Sequence, residues 1–222
     1  MGKDSLWSRR PQVVEVKLYR LKSLDPRLRQ LEWSNLEREI DANPKKFMRY
    51  RLYLRSLLWS RVQGIREEAW RHLHVYKKLN ASGIERAFES RSDRIKITAW
   101  EHAKEAIDMD LVSREEMVKL SQHFWRLLRS YYPTVRKKAW KVFPTLVQLN
   151  IIRKKDIPRF MQFLKYAKPG VRVMAWNAVK FLLDSQIITK EDLTQYLPYL
   201  VELTNRDSVV ARRAKNILVN LN

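Results

Sequence analysis

One hexapeptide pattern recurs along this chain and limits the folds open to it. The segments IREEAW from Ile65, IKITAW from Ile95, VRKKAW from Val135 and VRVMAW from Val171 align without gaps, and VARRAK from Val210 is a decayed fifth copy. Their alanines, Ala69, Ala99, Ala139, Ala175 and Ala214, lie 30, 40, 36 and 39 residues apart. Intervals of that size belong to arrays of two-helix units, in which each unit buries its apolar face against the next. A second signal keeps the same phase: LVSREEM from Leu111, IIRKKDI from Ile151 and IITKEDL from Ile187 are spaced 40 and 36 residues. Both halves of the unit therefore repeat together.

Local signals make these halves helical. Glycine, costly in helices and needed in many turns, occurs only four times. Ser113 with Glu116, Ser82 with Glu85 and, more loosely, Thr189 with Asp192 resemble capping boxes and mark where first helices begin. Pro133 and Pro169, the latter followed by Gly170, mark the starts of second helices. Apolar residues at i, i+4, i+8, i+11 and i+12, such as Val171, Ala175, Val179, Leu182 and Leu183, form one buried stripe. The small alanine in the middle lets a neighbouring helix approach closely. Second helices are expected near 65–80, 95–108, 135–150, 171–184 and 209–221.

Upstream, Asp25 and Pro26 are a cap and first-turn pair for the helix PRLRQLEWSNLEREIDA, and KKFMRYRLYLRSLLWSRV follows as the partner of the IREEAW helix. Residues 1–24, with Arg9 and Arg10, read as a cap or a basic arm ahead of a repeat array over 25–222. The best strand-like alternation, VVEVKLYRL from Val13, is equally compatible with helix. The expected fold class is all-α.

Charge narrows the function. The chain carries 45 Lys and Arg against 24 Asp and Glu, a formal net charge of +21, and so attracts polyanions. Nucleic acid is the default partner. No run of 18 or more apolar residues and no signal peptide stands out, so a cytoplasmic protein without membrane contact is expected. With no cysteine there is no disulfide, thiol catalysis or thiolate metal site. The histidines His72, His74, His102 and His123 lack metal-ligand spacing: His72 and His74, two apart, cannot share a helix face, and no carboxylate pair completes a site. No metal, cofactor or catalytic residue is expected, and no phosphate-cradling glycine loop or nucleophile elbow is present.

From Pro44 to Asn222 the chain resembles the HEAT-repeat family, whose second helix typically carries a Val-Arg-x-x-Ala core like VRKKA at Val135 and VRVMA at Val171. The resemblance implies a right-handed α-solenoid of about five to six two-helix repeats. In that family an acidic residue about five positions before the valine often pairs with the motif arginine. Here those positions hold Ser60, Ser90, Ser130, Tyr166 and Asn205, which leaves Arg66, Arg136 and Arg172 available to a ligand. Some HEAT-like arrays are DNA glycosylases for alkylated purines that use tryptophans and an aspartate. This chain offers Glu67, Glu68, Glu101 and Glu105 and no aspartate at a matching position, so no catalytic residue carries over.

The motif tryptophan falls a quarter-turn from the centre of the buried stripe, with cations beside it on the same face. Arg66 and His74 flank Trp70, Lys96 and Lys104 flank Trp100, Arg136 precedes Trp140, and Arg172 and Lys180 flank Trp176. Pro144 replaces the second cation of the third copy and is expected to bend that helix; the last copy has Ala211 and Lys215. One reading is structural: the indoles seal one repeat against the next, with cationic stems over them. The other is functional: arginines and lysines contact phosphates while indoles offer apolar faces to sugars or unstacked bases. On the functional reading the binding residues are Arg66, Trp70, Lys96, Trp100, Lys104, Arg136, Lys137, Trp140, Arg172, Trp176, Lys180, Arg212 and Lys215. MRYRLYLRSLLWSR adds an arginine–aromatic mixture, and Lys137, Lys138 and Lys141, Arg153 to Lys155, and Arg212 with Arg213 add basic runs.

The expected function is non-catalytic binding of nucleic acid, either structured RNA in a ribonucleoprotein such as the ribosome or duplex DNA. Its rival is a scaffold for an acidic protein, and base excision is a third reading.

Overall fold

A computed structural model describes residues 15–205 and 208–221. Every regular element among these residues is helical, and none is a strand. No helix among them is long and apolar enough to cross a membrane. The chain divides into two compact units, Met1–Ala81 and Ser82–Asn222. The basic pair Arg9–Arg10 lies outside the described residues.

In the first unit a 3₁₀ turn, Leu18–Lys22, precedes α1 (Pro26–Ala42), where Asp25 accepts from the Arg27 amide at 2.9 Å and Pro26 fills the first position. A 3₁₀ stretch, Pro44–Tyr50, leads into α2 (Arg51–Leu57); α3 (Gln63–Arg71) and α4 (Leu73–Lys78) complete the unit. The α1 helix packs on α4, and α2 packs on both α3 and α4. Leu21, Trp33, Leu36, Leu54, Leu58, Trp70 and Tyr76 are its core. Inside it, Arg29 of α1 grips Glu68 of α3 with both ends of its guanidinium, Nε to Oε2 at 2.6 Å and Nη2 to Oε1 at 3.0 Å.

The second unit contains α5 (Asp93–Glu101), α6 (Ala103–Asp108), α7 (Arg114–Leu127), α8 (Pro133–Gln148), α9 (Ile157–Leu164), α10 (Pro169–Asp184), α11 (Lys190–Leu193), α12 (Leu197–Thr204) and α13 (Val209–Leu221). The motif-bearing helices pack side by side in chain order, α5 on α8, α8 on α10 and α10 on α13. The intervening helices form the other partners: α7 packs on α5 and α8, α9 on α10, and α12 on α10 and α13. Between them lies an aromatic core of Phe88, Trp100, Phe124, Trp125, Phe143, Phe160 and Phe163.

Two local features differ from the sequence expectations. The stretches 65–80 and 95–108 are not single helices. Each breaks at a histidine, His72 or His102, where the amide bonds the carbonyl three residues back and the turn tightens. Ser82 is not a helix cap; the segment is a single 3₁₀ turn, Ile84–Ala87, capped by Gly83 at φ 81°, a value glycine adopts without strain. Reducing a first helix to one turn accounts for the short 30-residue interval between Ala69 and Ala99. The α8 helix runs through Pro144 to Gln148, without the one ladder bond that proline cannot donate.

A further periodic feature follows the first four motif copies. Asn80, Asp110, Asn150 and Gln186 adopt φ between 47° and 56°, and they recur at the same 30, 40 and 36 residue intervals as the motif alanines. After each, an apolar residue donates its amide five positions back: Ala81 to Tyr76, Leu111 to Ala106, Ile151 to Leu146 and Ile187 to Leu182, all at 2.9 Å. This is the Schellman arrangement, which satisfies carbonyls that a helix end leaves open.

Candidate nucleic-acid interface

The motif tryptophans do not form a surface. Trp70, Trp100 and Trp176 are at most 1% exposed and Trp140 is 8% exposed. Each indole N–H donates to a backbone carbonyl twelve residues earlier: Trp70 to Leu58 at 3.3 Å, Trp100 to Phe88 at 3.1 Å, Trp140 to Leu128 and Trp176 to Leu164 at 3.0 Å. Those acceptors sit at the end of the element preceding the motif helix, where carbonyls lack a next turn to bond. A buried indole must place its N–H, and an orphan carbonyl needs a donor, so one contact satisfies both.

The motif cation acts on the same helix ends. Arg66 Nη1 donates to the Ser60 carbonyl at 2.6 Å, Arg136 Nη1 to Ser130 at 2.7 Å, and Arg172 Nε to Tyr166 at 3.0 Å, in each case six residues back. Arg172 also reaches Glu202 of α12 at 2.7 Å. Lys96 takes the corresponding place in α5, buried, with its Nζ 3.4 Å from Asp93. The expectation that Arg66, Arg136 and Arg172 are available to a ligand, and that Trp70, Trp100, Trp140 and Trp176 offer their faces to bases, is therefore corrected. These eight side chains, Lys96 included, are buried, and the polar contacts they make are to the protein's own backbone and carboxylates; Arg136 Nε alone among their buried nitrogens has no hydrogen-bond partner among the described residues. The indoles of Trp100 and Trp140 lie against rings, Phe88 at 5.2 Å and Phe163 at 5.7 Å between centroids. Arg159 places its guanidinium over the Trp125 indole, 5.1 Å from the ring centroid. Burial and the neighbouring Arg129 lower the Arg159 pKa, while Asp156 raises it.

The remaining predicted cations are exposed. Lys104 pairs with Asp108 on α6. Lys137 projects from α8, Lys180 from α10, and Arg212 and Lys215 from α13. Of these, Lys137 alone lines a groove of the second unit, a depression of about 830 Å³ crossing α8, α10 and α13. Its floor is Trp140, Pro144, Val173, Met174, Ala178, Phe181 and Ile217, and its rim carries Lys137, Lys138, Lys141 and Arg213. Glu101, the one acidic residue lining it, pairs with Lys138 at 2.8 Å. Lys180 borders a separate recess with Asp184 and Lys190. Arg213 lay within a recognised basic run, but Met174, Asn177 and Phe181 carried no signal. Their place on the groove depends on the packing order of α8, α10 and α13, which no single helix's periodicity contains.

The histidines also differ from expectation. His72 and His74 converge on one carboxylate: His72 Nδ1 contacts Glu37 Oε1, and His74 Nε2 lies 2.8 Å from the same oxygen. The helix break at His72 defeats the helical spacing on which their separation was argued.

No protein-family model matches this chain, and no curated protein matches it.

Proposed function

We propose that this chain binds nucleic acid without chemistry, through phosphate contacts made by the cationic rim of the groove over α8, α10 and α13. The observation that carries the reading is the rim itself: Lys137, Lys141 and Arg213 have no ion-pair partner among the described residues, on a chain of net charge +21. Unpaired cations at the edges of one trough raise the local potential for a polyanion, and phosphates there release bound counterions. We further propose that the two-helix units form a right-handed HEAT-like solenoid of about five to six repeats, an arrangement supported by the phased motifs and the side-by-side packing of α5, α8, α10 and α13. Structured RNA and duplex DNA both fit, because backbone contacts carry no base information.

The apolar floor favours a second reading, a scaffold for an acidic amphipathic helix whose apolar side fills the groove between Phe181 and Pro144. A pull-down from lysate with and without nuclease separates the two. On the first reading nuclease releases the retained material, and K137E/K141E/R213E retains little. If an acidic protein stays bound after nuclease, the scaffold reading takes its place.

A further inference from the structure

We infer that Glu37, His72 and His74 form a binding site for a divalent transition-metal ion, with Zn²⁺ the best chemical match. In a continuous helix residues two apart point about 200° away from each other. The break between α3 and α4 removes that constraint: His72 has φ −106° and ψ 35°, and the two imidazole centroids come to 5.9 Å. Glu37 reaches them from α1. One oxygen of Glu37 and one nitrogen of each histidine, three potential ligand atoms, all lie within 4.8 Å of one another.

The surroundings suit a metal. The His72 ring stacks on the Trp33 indole at 4.5 Å and 6°, and Trp33 is itself buried one turn before Glu37, so the imidazole plane is held from behind. Orientation of this kind is what a ligating histidine needs from its supporting residues. The side chains are partly covered, 23% exposed for His72 and 41% for His74, which shields the ligand atoms and leaves an approach for water or a further ligand. Two imidazoles and one carboxylate with an open position is a known zinc donor set. Hard cations such as Ca²⁺ and Mg²⁺ require oxygen ligands and do not match it.

The next repeat provides an internal comparison. There His102 occupies the same break, but Lys104 stands where His74 stands; His102 turns to Glu105, and Lys104 to Asp108. The convergence of three ligands is therefore not a by-product of the break. It requires His74 and the carboxylate from α1.

The test uses the full-length protein, free of any histidine tag and stripped with chelator. Titration with Zn²⁺ against a chromophoric chelator should show one tight equivalent, Co²⁺ should give visible bands of low-symmetry nitrogen and oxygen coordination, and Zn²⁺ should raise the melting temperature. H74Q and E37Q should each weaken Zn²⁺ binding at least about tenfold and abolish the thermal shift. His74 is the most exposed of the three, so H74Q, checked by circular dichroism, keeps the test independent of folding. H102Q should bind as the natural chain does. A flat Zn²⁺ titration, or H74Q and E37Q binding with unchanged affinity, would overturn the inference.

Discussion

The indole N–H of Trp176 donates to the carbonyl of Leu164, twelve residues earlier, at 3.0 Å. The same offset recurs at Trp70, Trp100 and Trp140. In each of these four motif copies one side chain thus closes the end of one helical element and fills the core beside the next. Trp176→Phe should leave that carbonyl without a partner and destabilise the protein by about 1–3 kcal/mol, and Trp176→Ala by about 3–5 kcal/mol. Urea unfolding measures both, and nucleic-acid affinity measured well below the melting temperature should not change.

Arg29 and Glu68 predict a loss as large as that of removing the whole Trp176 side chain. Both are buried, and Arg29 also donates to the carbonyls of Ser23 and Leu24 at 2.8 and 3.1 Å. Arg29→Met leaves a buried carboxylate unpaired and should destabilise the chain by about 3–5 kcal/mol in chemical denaturation. Gly64→Ala tests the same pair from the backbone, since a methyl there would lie 2.9 Å from Arg29 Nη2, an atom already committed to Glu68. It should be destabilising despite alanine's higher helix propensity.

Gln186 closes α10 with φ 54°, where a Cβ is strained. Gln186→Gly should raise stability by roughly 0.5–1 kcal/mol in urea titration, the relief of strain exceeding the added unfolded-state entropy. Gln186→Val should lower it.

These relationships also delimit what was legible in the sequence. The all-helical character, the cap at Asp25 and the reciprocal box of Thr189 and Asp192 follow from local patterns and are present in the structure. The phase of the tryptophans was visible as well, but their role was not, because the acceptors are backbone carbonyls that no side chain marks. The left-handed caps at Asn80, Asp110, Asn150 and Gln186 repeat at the motif's own intervals and were there to be found. The groove and the Glu37, His72, His74 cluster were out of reach. The first requires the lateral order of α8, α10 and α13, and the second a helix break that cancels the period used to read it.

The central claim, that the rim of the groove binds phosphate, is tested most directly by the salt dependence of affinity for a fluorescent 20-base-pair duplex. If the three unpaired rim cations and about three of the other exposed cations each neutralise a phosphate, the log–log slope should be near −5, because each contributes about −0.9. K137E/K141E/R213E should flatten it to about −2 at an unchanged melting temperature. A slope in the natural chain flatter than about −2, or one that the triple variant leaves unaltered, would contradict the account.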